Sequence, residues 1–439
     1  MELEFYASAG GKYAFVPRRD ELGKTRFITT PSKYYDDLRG QQVIEDFIEN
    51  NVIAEKLGYD GTIVIEQHGG PNSVVGQSIT LAATIIAKTS RIRVGTVGAL
   101  MNSYLTPMRF AEEVATLDIL SRGRYFAGLP MGIGSNYHSL GVMNPTYARE
   151  RHREAHDFMV KAFTSDEPFR WDEKFFQTEY ANLWPKPLQK PYPEIWVPAA
   201  GSRESLTFAA QNGYTYVAVL VPWPILVKNC ATFKNAVLEA GQTYDPKRIA
   251  ATAFVYVAET DEQARVECEA HMMSILQNSL GSPFHDSFPP GHVTAQSLRG
   301  MAAGGGYRST DISKTTFEEA QKSGAIIVGS PSTVAERIEE ITTVLDAGRL
   351  FMYTDCWTMP TWMTRKNMSI FAEEVIPRFR KRNGKPIWDT DPVGPAANTL
   401  SEFGARVQPS PCIPSSEIEG VGYVDTRTAH VPALRKSLG

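Results

Sequence analysis

The 439-residue sequence has only four cysteines (Cys230, Cys268, Cys356 and Cys412), standing far apart with no CxxC pair. That spacing disfavours a zinc ribbon or a disulfide framework. The longest apolar runs, at residues 63–65, 218–221 and 325–328, are of strand length, far short of the roughly 20 residues of a membrane span. Charge of one sign is also missing: 45 Lys and Arg against 49 Asp and Glu leave a net −4 with no basic stripe, so no nucleic-acid footprint is expected. Neither a strand-GxGxxG-helix dinucleotide fingerprint nor an HExxH zinc motif is present. Residues 1–8 lack the basic and apolar regions of a secretory signal, and the expected location is the cytoplasm. No internal repeat or low-complexity tract stands out.

What is there is ordinary for a globular enzyme: 42% hydrophobic and 21% charged residues. Length alone suggests about three domains, but a single (β/α)8 barrel with insertions fills the same length. Short β-branched runs alternate with helical patterns. Strands are predicted at 2–8, 62–65, 92–97, 125–129, 195–198, 215–221, 252–258 and 350–354, the number a (β/α)8 barrel needs. Residues 62–65 are continuously apolar, as in a parallel strand buried on both faces. A helix from about Gln41 to Gly58 carries Ile44, Phe47, Ile48 and Val52 on one face; another opens at Thr106-Pro107 with a cap and an N1 proline. Three stretches exceed the minimal barrel: a loop at 9–40, an insertion at about 271–324 expected to act as a lid, and a Pro/Gly-rich extension at 384–439 expected to lie as an arm.

Several residues can carry chemistry. Gly128, Gly132 and Gly134 follow the fourth strand, where glycine lets backbone approach a ligand, although a tight turn explains them equally. His138 lies just beyond. In WPKPLQKPYPEIWVPAAGSRESLTF a proline-stiffened entry feeds a strand, and Gly201, Ser202 and Ser205 then open a helix. Their N–H and hydroxyl groups at the positive end of the dipole make a phosphate seat, and a plain serine N-cap is the alternative. His152 and His156 stand one helical turn apart, and an exposed pair is the simple reading for them. Trp223, Trp357 and Trp362 follow late strands and are expected to wall an apolar or aromatic substrate pocket, with core packing as the alternative for each. Cys356 has no base motif beside it. A strand-end lysine or paired carboxylates, which an aldolase or isomerase would need, are not evident.

On these residues the chain resembles the bacterial luciferase-like flavin monooxygenases over residues 1–383. The shared blocks, in order, are YDGTIVIEQH; TSRIRVGT with Pro107, Ala111-Glu112-Glu113, Leu117-Asp118, Leu120-Ser121 and Gly123-Arg124; KPxQKPxPxIWV; VGSPSTVAERI; and FAEEVIPRF. The resemblance implies an FMN phosphate at Gly201, Ser202 and Ser205. It places the flavin ring against Val97 and Gly98, across a non-proline cis peptide, with Gly132 nearby and His152 where relatives carry a phosphate-reaching tyrosine. The family's catalytic histidine position is occupied here by Gln67, which can hydrogen-bond flavin or substrate but is no base. Either His68 takes that role from the next position or no side-chain base is used, and His138 is a further candidate of the pocket. Strand alternation sets the rival account, in which Gln67 faces the mouth and His68 packs against the following helix. Met131 replaces a family arginine, which argues against a long-chain aldehyde.

The implied activity is an FMNH2-dependent monooxygenase that uses O2 through a C4a-(hydro)peroxyflavin. A separate NAD(P)H:FMN reductase would supply its reduced flavin, and the chain would form a homodimer or higher homo-oligomer. An F420-dependent hydride-transfer enzyme is the alternative. Its cofactor's acidic tail calls for several basic residues, and Arg203 alone stands near the seat in the sequence. A flavin-binding protein without turnover is the third reading.

Overall fold

A computed structural model describes residues 2–380 except 18, 23–29, 133, 142–143, 220, 276–290, 292–294, 296–298 and 300–314. The predicted arm at 384–439 and the middle of the predicted lid therefore lie outside the described residues. The central sheet has nine strands: β1 (Glu4–Ser8), β2 (Gly61–Val64), β3 (Arg93–Thr96), β4 (Tyr125–Gly128), β7 (Ile195–Ala199), β8 (Thr215–Ala218), β9 (Ile249–Val257), β10 (Ile326–Gly329) and β11 (Arg349–Tyr353). All its pairings are parallel, and β8–β9 contacts close the ring through β11 and β1. Since β10 pairs only with β9, eight strands remain in the ring. This is the predicted (β/α)8 barrel.

Two strand-level corrections follow. The first is β10, a strand beyond the eight expected from the sequence, lying between the last two of them. It exists because β9 is nine residues long, twice its neighbours. The lower part of β9 pairs with β8 and β11, and Phe254–Val257 rises above the ring to pair with β10. The second is an antiparallel hairpin of β5 (Phe169–Asp172) and β6 (Gln177–Ala181). It packs Phe169, tilted, and Trp171, edge-on, against Phe158 at ring distances of 5.5 and 5.4 Å. Both ends of the expected lid are helical, Asp261–Ser274 entering it and Phe317–Lys322 leaving it.

The barrel interior is filled rather than hollow. Tyr6, Ile63, Val97, Phe126, Trp196, Val217, Ala250 and Phe351 form its central layer. Beneath them, at the N-terminal end of the strands, lies a layer of charge. Arg349 Nε donates to Glu4 at 2.8 Å, Lys247 Nζ to Glu4 at 2.6 Å, and Arg93 Nη2 to Glu194 at 2.5 Å. Buried charges persist only when paired and hydrogen-bonded. Burial works to raise the Glu194 carboxyl, yet Arg93 and Arg349 hold it well below the usual carboxylate range. With this end sealed, chemistry is left to the C-terminal mouth.

Candidate active site

The mouth is floored by bare backbone where β2, β3 and β4 end. A Cβ on Gly98 would lie 2.4 Å from the Glu66 nitrogen, and one on Gly128 would lie 2.5 Å from the Thr96 carbonyl oxygen. Only glycine permits this approach. The expected cis peptide at Val97–Gly98 is not found. Among the described residues the cis bonds are Trp184–Pro185 and Lys190–Pro191, and the crowding at Gly98 is relieved by its missing side chain instead. Val97 itself is buried in the barrel interior.

Beyond β2, the chain turns Glu66 and His68 to the same side. Glu66 Oε1 lies 3.0 Å from His68 Nε2, while Oε2 accepts from Ser78 Oγ at 2.6 Å and from its N–H at 3.3 Å. Ser78 opens the helix Ser78–Lys88 and is fully buried. His68 is thus held by a carboxylate anchored to the next helix, and the Gln67 N–H donates to the Val75 carbonyl at 3.1 Å. His68 thereby meets the following helix through Glu66. Glu66, the residue that fixes it, was legible in the sequence only as the acid of the EQH end.

After β4, Gly132 has a φ of +84°, which glycine adopts without strain. The helix Gly134–Leu140 follows, and Tyr137 Oη donates to the Met131 carbonyl at 2.8 Å. His138 is part of this helix, and its side chain lies outside the described residues.

At the expected phosphate seat the structure shows the serine N-cap. Gly201 has a φ of +106°, and a Cβ there would fall 2.0 Å from Asn229 Nδ2, which itself donates to the Ala200 carbonyl at 3.1 Å. Ser202 caps the helix Arg203–Gln211, accepting from the Ser205 N–H at 3.3 Å and donating to Ser205 Oγ at 2.9 Å.

The two histidines of the neighbouring helix Ala148–Thr164 are not an exposed pair. They are only 2% and 4% exposed, because that helix turns them onto Phe208, at ring distances of 5.9 and 4.8 Å. His156 is satisfied by Tyr214 Oη at 2.7 Å and Asp157 at 2.9 Å. His152 is not: its Nε2 is buried without a partner among the described residues. Burial, then the charge of Arg153, pushes its pKa down to about 3. A hydrogen bond to the Leu129 backbone works the other way, as a bond donated by the ring does. The neutral ring therefore donates through its other nitrogen and presents Nε2 as an acceptor. Arg153 stacks 3.6 Å from the Phe208 centroid and donates to the Glu204 carbonyl at 3.1 Å. With Arg203 it lines an open depression over Thr207 and Gln211, so the seat has more basic surroundings than Arg203 alone.

The three tryptophans do not form one wall. Trp357 is buried among Cys356, Met272, Met273 and Met363, with its Nε1 unpartnered. Trp223 packs at the edge of the helix–strand core near Gly324. Trp362 is 61% exposed, on the helix Thr361–Ile370. Inside the mouth the aromatic surface comes instead from Tyr353, stacked 4.6 Å from Phe254 and tilted at 5.0 Å from Phe351. Nor is a strand-end lysine lacking: Lys12, just past β1, pairs with Asp355, just past β11, at 2.7 Å. Cys356 is fully buried and its thiol pushed well up by that burial, which agrees with an inert side chain.

A family model described as luciferase-like monooxygenase matches residues 26–346. The flavin-dependent trigonelline monooxygenase, oxygenase component, of Acinetobacter baylyi is 29% identical over 252 residues, covering 57% of this chain and 68% of that protein. The 4-hydroxyprotoasukamycin monooxygenase of Streptomyces nodosus subsp. asukaensis is 28% identical over 339 residues, covering 74% and 84%. Among solved structures, the oxygenating constituent of 3,6-diketocamphane monooxygenase from Pseudomonas putida, in complex with FMN, aligns with a TM-score of 0.62 at 21% identity, covering 86% of this chain and 99% of that one. An F420-dependent secondary alcohol dehydrogenase aligns with a TM-score of 0.59 at 17% identity, covering 87% and 100%. At these identities the structures speak for the fold alone.

Proposed function

The chain belongs to the luciferase-like monooxygenase family and is an enzyme of the flavin-dependent monooxygenase kind; we propose that its cofactor is reduced FMN and that it oxidises a small organic substrate with O2. The observation that carries the cofactor assignment is the unpartnered, buried Nε2 of His152, on a helix packed against the one that starts at Gly201-Ser202. A buried polar atom without a partner is costly unless a ligand completes it. In this reading the phosphate is held by the N–H groups at the helix start and by Ser202 and Ser205. His152 Nε2, an acceptor, takes a hydroxyl of the flavin's ribityl chain, since an anionic phosphate oxygen offers it no proton. Gly98 and Gly128 give the ring a floor of bare backbone, next to Val97. FMN, when bound and reduced, supplies the activation of O2. The chain's own work is to bind, to orient and to exclude water.

The reduced flavin is supplied by a separate NAD(P)H:FMN reductase. The relative from Acinetobacter baylyi, whose name specifies an oxygenase component, supports this division of labour. A second reading, F420-dependent hydride transfer, draws support from Arg153 standing with Arg203 at the depression beside the seat. Yet the Arg153 guanidinium is already committed to Phe208 and Glu204, which leaves little for an acidic tail and favours FMN. Parallel assays with FMNH2 and F420H2 test the assignment. O2 consumption coupled to product formation with FMNH2 is expected; oxidation of F420H2 without O2 uptake would overturn it.

A further inference from the structure

We propose that Lys12 and Asp355 form the substrate-recognition pair of this mouth, and that the substrate is an aromatic or other cyclic compound bearing an anionic oxygen, such as a carboxylate or enolate. The proposal rests on the flavin-dependent reading above and names the substrate class of that site.

Position is the first argument. Around the ring the order is β11, β1, β2, β3, β4, β7. The phosphate seat follows β7, four strands around from β1, so Lys12 stands across the barrel from it and is not a cofactor-phosphate ligand. Lys12 is also held in place. Its loop leaves β1 through Gly10 and Gly11, with φ of +107° and +89°. It is tied to the loop after β2 by the Val74 N–H donating to the Gly11 carbonyl at 2.7 Å and the Tyr13 N–H donating to the Pro71 carbonyl at 3.0 Å. Asp355 is held likewise, because the preceding Thr354 N–H donates to the Ser8 carbonyl at 3.1 Å and Asn367 Nδ2 donates to the Thr354 carbonyl at 2.9 Å.

Chemistry is the second. The pair is only 13% and 7% exposed, and taking both charges out of water is a penalty that an apolar pair of similar volume avoids. No hydrogen bond from Lys12 Nζ to another described residue accompanies the one to Asp355, so two of the three ammonium donors are left for a ligand. Below them lies a flat apolar platform: Lys12 Nζ is 5.7 Å from the Tyr353 ring centroid, and Tyr353 stacks on Phe254 with an interplanar angle of 23°. A cation above an aromatic face selects a ring that carries an anion at its edge. Asp355 competes with that anion for the ammonium and so moderates its affinity.

This competition gives the two variants opposite signs, which a merely structural ion pair would not. Calorimetric titrations of the apo and FMN-loaded protein with benzoate, 4-hydroxybenzoate and nicotinate, each against its amide, read the preference directly. In the wild type at least one acid is expected to bind about tenfold or more tightly than its amide. Lys12→Met abolishes that preference, Lys12→Arg retains it, and Asp355→Asn strengthens acid binding. Equal binding of acids and amides, binding of neither, or a parallel loss in Lys12→Met and Asp355→Asn overturns the proposal. Titration of the same proteins with FMN keeps the two readings apart. Wild type that takes no FMN would sink the cofactor assignment, while the acid-to-amide ratio of the apo protein would still report on Lys12.

Discussion

Replacing His152 by leucine separates the two things its ring does. In the folded protein the ring is neutral, with a pKa pushed down to about 3 from an ordinary 6.5. Between those values the unfolded chain binds a proton that the folded one refuses, so stability falls as pH is lowered through 6.5 and is intact above it. The slope is about 1.4 kcal/mol per pH unit, which amounts to about 2 kcal/mol by pH 5. His152→Leu removes this penalty. At pH 8 it also removes a buried unpartnered nitrogen, worth about 1–3 kcal/mol, while forfeiting the bond to Leu129, worth about 1 kcal/mol, so the two proteins should agree to within about 1–2 kcal/mol. At pH 5 the variant should have gained about 2 kcal/mol on the wild type, read from urea unfolding at the two pH values. The same substitution deletes the acceptor for a ribityl hydroxyl, so FMN and riboflavin should both bind about tenfold more weakly. Parallel unfolding curves from pH 8 to pH 5 would refute the burial argument. A loss confined to FMN, with riboflavin unaffected, would refute the hydroxyl assignment and hand His152 to the phosphate.

The remaining predictions concern the seat and the mouth. Gly201→Ala forces a side chain into a φ of +106° and against Asn229. It should cost about 2–4 kcal/mol of stability and weaken FMN at least tenfold, and adding Asn229→Ala should restore only the part due to the clash. An unchanged FMN titration for Gly201→Ala would move the seat elsewhere. His68→Ala is expected to lower the melting temperature while leaving the single-turnover rate within about threefold, well short of the roughly 10²–10⁴-fold of a lost general base. Glu66→Gln should act in the same direction through the same contact. A tenfold or greater fall in the chemical step with an unchanged melting temperature would restore His68 as a base.

Features set by neighbouring residues were legible in the sequence, and features set by partners distant along the chain were not. The ring strands announce themselves, because a parallel strand covered on both faces is largely apolar beyond the charged residues at its start. The Ser202 cap and the Gly201 turn are local in the same way. By contrast, β10 is intelligible only once β9 is known to outgrow the ring, although its residues form an apolar run. His156 reads as an exposed helical residue until Phe208 and Tyr214, over 50 positions later, close upon it. Lys12 and Asp355 are 343 positions apart and become a pair only when the barrel closes β11 onto β1. The tryptophans misled for a related reason: following a strand end fixes a residue's height on the barrel, not the direction of its side chain.

The overhang of β9 also marks a seam for recombination. Its lower residues serve the ring, while the strand it pairs with above the ring, β10, leads into the helix Pro331–Leu345, which packs back on the barrel through Val334, Ile338 and Ile341. A chimera that changes parent after Ser274 and returns before Phe317 leaves every hydrogen bond of the ring within one parental sequence. Members of the family can therefore be recombined next to the helices Asp261–Ser274 and Phe317–Lys322 while the hydrogen bonding of the barrel stays that of a single parent.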